Sequence, residues 1–441
     1  MQPDQSGIKF GPFWLTPGIR PVNACTYFFS SFIFVMLVTF LNFVQPFILD
    51  EILRVPPEIQ GRVTGTLNFV HESIALFVMG FVGAMSDRTG RRTLILTGFA
   101  IWVVGLMLFP MAGGLTELYS YRIIIAIGVA VTSVMVIATM QDYPQEVSRG
   151  KWAGTNSFIT SFAILTVSLV LVRLPTWLTD AGLETVQAGR WTFWIGAGIA
   201  IVAALIIRLG YYGGRVAGTG TTASPFAGFV EGFTAAKSNP RLALAYGTAF
   251  AARGDLVVLA AFFSLWFVRA GAEQGISSAD AIVRAGITMS ALLLANWIWA
   301  PLFGFILDRI NRVAGLCIAM SLAAIGYFVI GQVDDPYDTG VMMAATFILG
   351  IGEISAVIAG NALLGQEAPA RIRGAAVGVF GLVGTLGILF ATLAGGRLFD
   401  TIGYGAPFTM MAGVNAIIAV WALLTFIRAG EATSEISRES V

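Results

Sequence analysis

Gly83-Ala84-Met85-Ser86-Asp87-Arg88-Thr89-Gly90-Arg91-Arg92 lies between two long apolar runs, and its reading decides the fold. Gly90 permits a tight reversal of the chain, and Asp87 sits where a helix leaves the bilayer. Arg88, Arg91 and Arg92 place three positive charges on one side of the membrane, which the positive-inside bias assigns to the cytoplasm. One basic turn between two spans is a weak signal; a second copy is a strong one. Gly304, Asp308, Arg309 and Arg312 repeat Gly83, Asp87, Arg88 and Arg91 at one constant offset of half the chain. Two parallel halves, each made from the same set of spanning helices, follow from that repeat.

Composition agrees. Of 441 residues 56% are apolar and 12% charged, more apolar surface than a soluble core could hide. Twelve apolar runs of about 18–26 residues, each long enough to cross a bilayer, occupy approximately 23–46, 65–86, 93–112, 119–140, 152–174, 191–212, 242–267, 282–307, 313–332, 340–364, 374–395 and 406–428. With both termini cytoplasmic, most lysines and arginines fall on the inner side. An odd number of spans between the two Asp-Arg loops would have put them on opposite faces. Residues 1–22 are expected as a cytoplasmic tail, 23–212 and 242–428 as six-helix bundles, and 429–441 as a second tail. In the linker 213–241, Phe226, Phe229, Val230 and Phe233 recur at helical spacing, which predicts an amphipathic helix on the inner leaflet.

Several function classes drop out. Nucleic-acid binding has no basic stripe to support it. Cys25 and Cys317 both fall in spans, so no disulfide framework is implied. No metal-ligand spacing or nucleophile triad occurs, and Gly213–Gly220 lacks the Gly-Lys-Ser/Thr ending of a nucleotide loop. The expectation is a non-enzyme without cofactor.

The Asp-Arg stretches resemble the loop between the second and third helices of the major facilitator superfamily, whose pattern runs Gly-x-x-x-Asp-Arg-x-Gly-Arg-Arg/Lys. The resemblance implies an all-α membrane protein of twelve transmembrane helices in two pseudo-symmetric bundles. It also implies a charge network at the cytoplasmic rim. Asp142-Tyr-Pro-Gln-Glu146-Val-Ser-Arg149 follows the fourth span and Glu367-Ala-Pro-Ala-Arg-Ile-Arg373 the tenth. By that likeness Arg88 pairs with Glu146 near Arg149, and Arg309 pairs with Glu367 near Arg373. Asp87 would face the amino end of the eleventh helix, where the helix dipole favours a negative charge. Asp87, Arg88, Arg91, Glu146, Arg149, Asp308, Arg309, Arg312, Glu367 and Arg373 are the expected gating residues.

Ionisable groups inside a bilayer are costly, so each needs a reason. The first, fourth, seventh and tenth helices, which line the cavity in the family, supply Asn42 with Gln45, Arg122, Arg253 with Asp255, and Glu353. Arg253 and Asp255 are two residues apart and cannot face each other along one helix. Asp255 and Glu353 fall near the middle of their spans and are candidates for proton carriers; the alternative is a structural salt bridge such as Arg253 to Glu353. His71 and Glu72 lie nearer the outer end of the second helix, His71 as a relay or as polar filler. Arg122 stands where proton-coupled members carry an arginine, but the following glycine is replaced by Ala126.

The combined expectation is a monomeric secondary active transporter in the cell membrane. It moves a small organic solute, anionic or zwitterionic, by alternating access, with protons as coupling ion. Export of amphipathic compounds past Trp297, Trp299, Phe262 and Phe263 is the alternative transport reading. A non-transporting assembly factor or sensor on the same fold is the alternative from another class.

Overall fold

A computed structural model describes residues 6–213, 225–368 and 373–429, with the side chains of 79, 80, 83, 84, 86–88, 225–229, 373, 374 and 429 outside that description. The expected gating side chains Asp87, Arg88 and Arg373 therefore lie outside the described residues, as do Gly214–Gly220. The chain begins with a short antiparallel pair, β1 (Lys9–Phe10) and β2 (Phe13–Trp14). Helices follow in order: α1 (Pro21–Phe47), α2 (Gln60–Thr89), α3 (Arg91–Leu108), α4 (Leu115–Asp142), α5 (Arg149–Leu169), α6 (Leu174–Asp180) and α7 (Thr185–Gly210). The rest are α8 (Pro225–Ser238), α9 (Pro240–Glu273), α10 (Ser278–Leu307), α11 (Arg312–Gly331), α12 (Thr339–Glu367), α13 (Arg373–Thr401) and α14 (Ala406–Ala429).

Among the described residues eleven segments are long and apolar enough to cross a membrane, with mean hydropathy between 1.6 and 2.5. The 30-residue α2 completes the twelve; at about 1.5 Å per residue it is long enough to span, although it carries more polar groups. All twelve expected spans fall on long helices, and α8 occupies the expected linker helix. Large apolar side chains such as Phe77, Phe81 and Leu209 are more than two-thirds exposed, as suits a surface solvated by lipid. Only Gly90 separates α2 from α3, and it does so at φ +87°, a conformation that L side chains rarely adopt.

The residues divide into two compact units. Unit 1 is Met1–Thr221 with Ala260–Ser290, and unit 2 is Thr222–Leu259 with Ala291–Val441. In unit 1, α3 lies along α4 and also meets α7, while α1 packs on α5 and α7. A π-helical turn, Ile48–Ile52, closes the carboxy-terminal end of α1. Its Asp50 carboxylate accepts from the Ser278 hydroxyl at the start of α10 and from the Gln60 amide. In unit 2, α11 is clasped by α12 and α14. Gly387 of α13 sits so close to the Phe250 carbonyl on α9 that any β-carbon there would collide with it.

Within the amino-terminal segment expected as a tail, residues 8–16 are folded. Ile8–Thr16 folds against the turn that follows α4, with Leu15 bridged antiparallel to Pro144 and the Phe13 ring edge-on to the buried Trp152. Apolar residues at 13 and 15 alternate with outward ones at 14 and 16. That period-2 pattern is too short to stand out beside the long spans.

Candidate functional site

Each unit buries a polar cluster among its spans. In unit 1 the centre is Arg122 on α4, only 1% exposed. Its Nη2 donates to Asn42 Oδ1 on α1 at 3.3 Å and to Asn68 Oδ1 on α2 at 3.1 Å. Asn68 is fixed in turn by donating to the Thr64 carbonyl one helical turn back. Nε and Nη1 of Arg122 are buried without a hydrogen-bond partner, an arrangement that costs about 1–3 kcal/mol per donor. Glu72 and the buried His71, neighbours on α2, lie within electrostatic reach of the guanidinium. Gln45, one turn along α1 from Asn42, is also buried. The structure thus gathers Asn42, Gln45, His71, Glu72 and Arg122 in one region and adds Asn68.

In unit 2 the centre is acidic. Asp255 on α9 is fully buried, and the Asn415 amide on α14 donates to both carboxylate oxygens, at 2.9 and 3.0 Å. Glu353 on α12 is 4% exposed; one of its oxygens has no hydrogen-bond partner. The buried Tyr327 hydroxyl on α11 lies within electrostatic reach of both acids. Arg253 does not join them. Its side chain is exposed and its aliphatic stem runs past Gly384 on α13. The salt bridge to Glu353 is not formed, because Asp255 and not Arg253 occupies the face of α9 turned to α12 and α14. Of the aromatics considered for an amphipathic cargo, Phe262 and Phe263 are fully buried in packing, while the Trp299 indole donates to Ser355 at 2.8 Å.

Where the helices end at the Asp-Arg hairpins, the expected Arg88–Glu146 pair lies outside the described residues, and the described side chains pair as follows. Arg91, the first residue of α3, donates through Nε to Asp142 Oδ2 at 3.0 Å, with both side chains about one-fifth exposed. Asp142 therefore meets the Asp-Arg hairpin at Arg91. Glu146 lies one turn past the end of α4 and pairs with its own neighbour Arg149 at 3.1 Å. Burial, then the neighbouring Tyr211, pushes the Tyr143 phenol well up, and burial pushes Tyr211 up to about 12, so this turn carries no phenolate charge.

In unit 2, Arg309 folds back over the Phe305 ring at 3.2 Å and does not reach Glu367. Arg309 lies just past the end of α10, so its guanidinium turns onto its own preceding helical turn and donates to the Phe305 carbonyl. Glu367 accepts from Asn239 at 3.1 Å and lies 4.0 Å from Arg241, at the start of α9. Arg312 donates to the Ala362 carbonyl on α12 at 3.3 Å and has Asp308 at 3.9 Å.

Sequence reasoning passed over Asn68, Asn415, Asp142 and Tyr327. A lone amide in an apolar run, as in Leu67-Asn68-Phe69 and Val414-Asn415-Ala416, was the signal for the first two.

The family model of the Major Facilitator Superfamily matches residues 27–331 and 270–440. Magnetosome protein MamH of Paramagnetospirillum magneticum (strain AMB-1) is 26% identical over 422 residues, covering 92% of this chain and 92% of that protein. Magnetosome protein MamZ of Magnetospirillum gryphiswaldense is 26% identical over 86% of this chain, which spans 58% of that relative. Among solved structures, the nucleoside transporter NupG superposes with a TM-score of 0.71 at 15% identity, covering 92% of this chain and 99% of that one. A D-xylose-proton symporter superposes at 0.69 and 15% identity, over 91% of this chain and 96% of that one. At such identities these structures share the fold alone. Matched across nearly its whole length and carrying the Asp-Arg hairpin in both halves, the chain belongs to the Major Facilitator Superfamily of membrane transporters.

Proposed function

We propose that the protein is a secondary active transporter that moves a small organic anion or zwitterion by alternating access, coupled to protons. The observation that carries the coupling is the pair Asp255 and Glu353, buried in unit 2 with a neutral amide in place of a cationic partner. A carboxylate in a bilayer is tolerated only when something neutralises it, and a travelling proton is the simplest candidate. The observation favouring an anionic group on the solute is Arg122, a buried guanidinium whose bonded partners are two amide carbonyls. In liposomes loaded to give a pH gradient, Glu353→Gln should abolish gradient-driven uptake and spare solute counterflow. Equal loss of both would assign Glu353 a structural role. The solute is found first by a thermal-shift screen of organic acids, amino acids, sugars and cationic dyes at two pH values.

A second reading concerns location. Two relatives that align with most of this chain are named magnetosome proteins, which favours the magnetosome membrane over the cell membrane. Immunoblots of the separated membranes decide between them, and a signal confined to the cell membrane rejects this reading.

A further inference from the structure

The segment ahead of α1 is tied to the turn after α4 by an unusual density of hydrogen bonds for a chain terminus. The Trp14 amide donates to Ser148 Oγ at 2.8 Å, and the Gln145 amide donates to the Trp14 carbonyl at 2.8 Å. Gln145 Nε2 donates to the Leu15 carbonyl at 2.9 Å. The Thr16 amide donates to the Tyr143 carbonyl and its hydroxyl to the Asp142 carbonyl, both at 2.9 Å. Asp142 is therefore gripped at both ends, its carbonyl by Thr16 and its carboxylate by Arg91. Arg91 follows Gly90 directly, so the grip passes to the hairpin that carries the Asp-Arg motif.

The second half also holds the end of its fourth span, from other positions and with other chemistry. Under the offset that relates the two Asp-Arg motifs, Arg20 corresponds to Arg241 and Glu146 to Glu367. There Asn239, just ahead of α9, and Arg241, in its first turn, hold Glu367 at the end of α12. The two holds share neither positions nor side chains, which points to a requirement that each half meets in its own way.

We propose that residues 13–16 are a positioning strap, which holds the 142–148 turn so that Asp142 stays on Arg91 and the Asp-Arg hairpin keeps its place. The strap acts through Asp142, and Thr16 and Ser148 are its positioning residues.

The test uses the full chain in detergent with Cys25→Ser, Cys317→Ser and a reporter Thr89→Cys. Thr89 is exposed at the end of α2, on the hairpin itself. Thr16→Val and Ser148→Ala should each raise the rate of maleimide labelling about fivefold, the ratio that one net hydrogen bond supports. Thr16→Ser, which keeps the hydroxyl, should label like the parent. Arg91→Met should also raise the rate, and Thr16→Val added to it should change nothing further, because strap and pair act in series. The proposal is overturned by parent-like labelling in Thr16→Val and Ser148→Ala, or by the same multiplication with Arg91 absent. Failure of Thr16→Ser to restore the parent rate also overturns it. A Thr16→Val or Ser148→Ala protein that does not accumulate as a monodisperse species counts against it as well, since the segment would then serve folding and not the hairpin.

Discussion

The two halves begin from one plan and bury opposite charges. Unit 1 encloses a base, Arg122, which donates to the carbonyls of Asn42 and Asn68; unit 2 encloses acids, and Asn415 offers Asp255 its amide hydrogens. Asparagine serves both because one side chain carries an acceptor and a donor, and presenting either neutralises no charge. Arg122, with Glu72 in electrostatic reach, and Asp255 are thus each bonded by neutral amides, which leaves room for a counter-charge that comes and goes. A fixed salt bridge in either place would have used up that capacity.

The largest expected effect tests whether the acids of unit 2 carry charge. Asn415→Leu strips both oxygens of Asp255 of their donor in a fully buried site, and should cost about 3 kcal/mol if the carboxylate is ionised. Denaturant unfolding in detergent measures it. Adding Asp255→Leu should recover most of that loss, because two apolar groups leave nothing unsatisfied. A cost below about 1 kcal/mol for Asn415→Leu alone would mean that the acid is already neutral in the resting protein, as when it holds the coupling proton.

A second contrast runs between the two Asp-Arg hairpins. Arg91 has an acid in Asp142; the equivalent position in the other half is Leu363, and Arg312 settles for the neighbouring Ala362 carbonyl. Asp142→Leu makes the first half resemble the second. For a pair about one-fifth exposed, the loss should be about 1 kcal/mol at low salt and should shrink toward 1 M salt as screening weakens the native pair. Arg312→Met, which removes a bond to a backbone dipole and an exposed acid at 3.9 Å, should cost less and respond less to salt. Equal costs and equal salt responses would erase the distinction between the two hairpins.

How far these features were legible follows from the range of the signal. Spans and loop charges are local, so the twelve helices and the doubled Asp-Arg hairpin could be read directly, and the helical spacing of Val230 and Phe233 marked α8. The Arg91–Asp142 pair could not be read, because it depends on where α4 stops relative to α3. Arg253 and Asp255 could be recognised as facing apart, but which of them turns inward depends on α12 and α14. The strap was missed since its partners lie about 130 residues further along the chain, and the alternation of four residues is too short to mark them.

The smallest expected effect separates the two clamps by their chemistry. The first-half clamp is made of neutral hydrogen bonds, Thr16 and Trp14 to the 142–148 turn, whereas the second-half clamp carries charge on Glu367 and Arg241. Glu367→Gln keeps an oxygen for Asn239, gives up the exposed acceptor used by the Gln366 amide at 3.2 Å, and loses the charge attraction to Arg241 at 4.0 Å, a loose contact that should be worth about 0.5 kcal/mol. That difference should vanish in 1 M salt, where the screening length falls to about 3 Å. The Thr16→Val labelling effect should persist there, because no ion pair is broken. A salt-sensitive Thr16→Val, or a Glu367→Gln loss that survives high salt, would show that the two halves hold their fourth helices by the same kind of force, and the chemical asymmetry drawn between the clamps would fall.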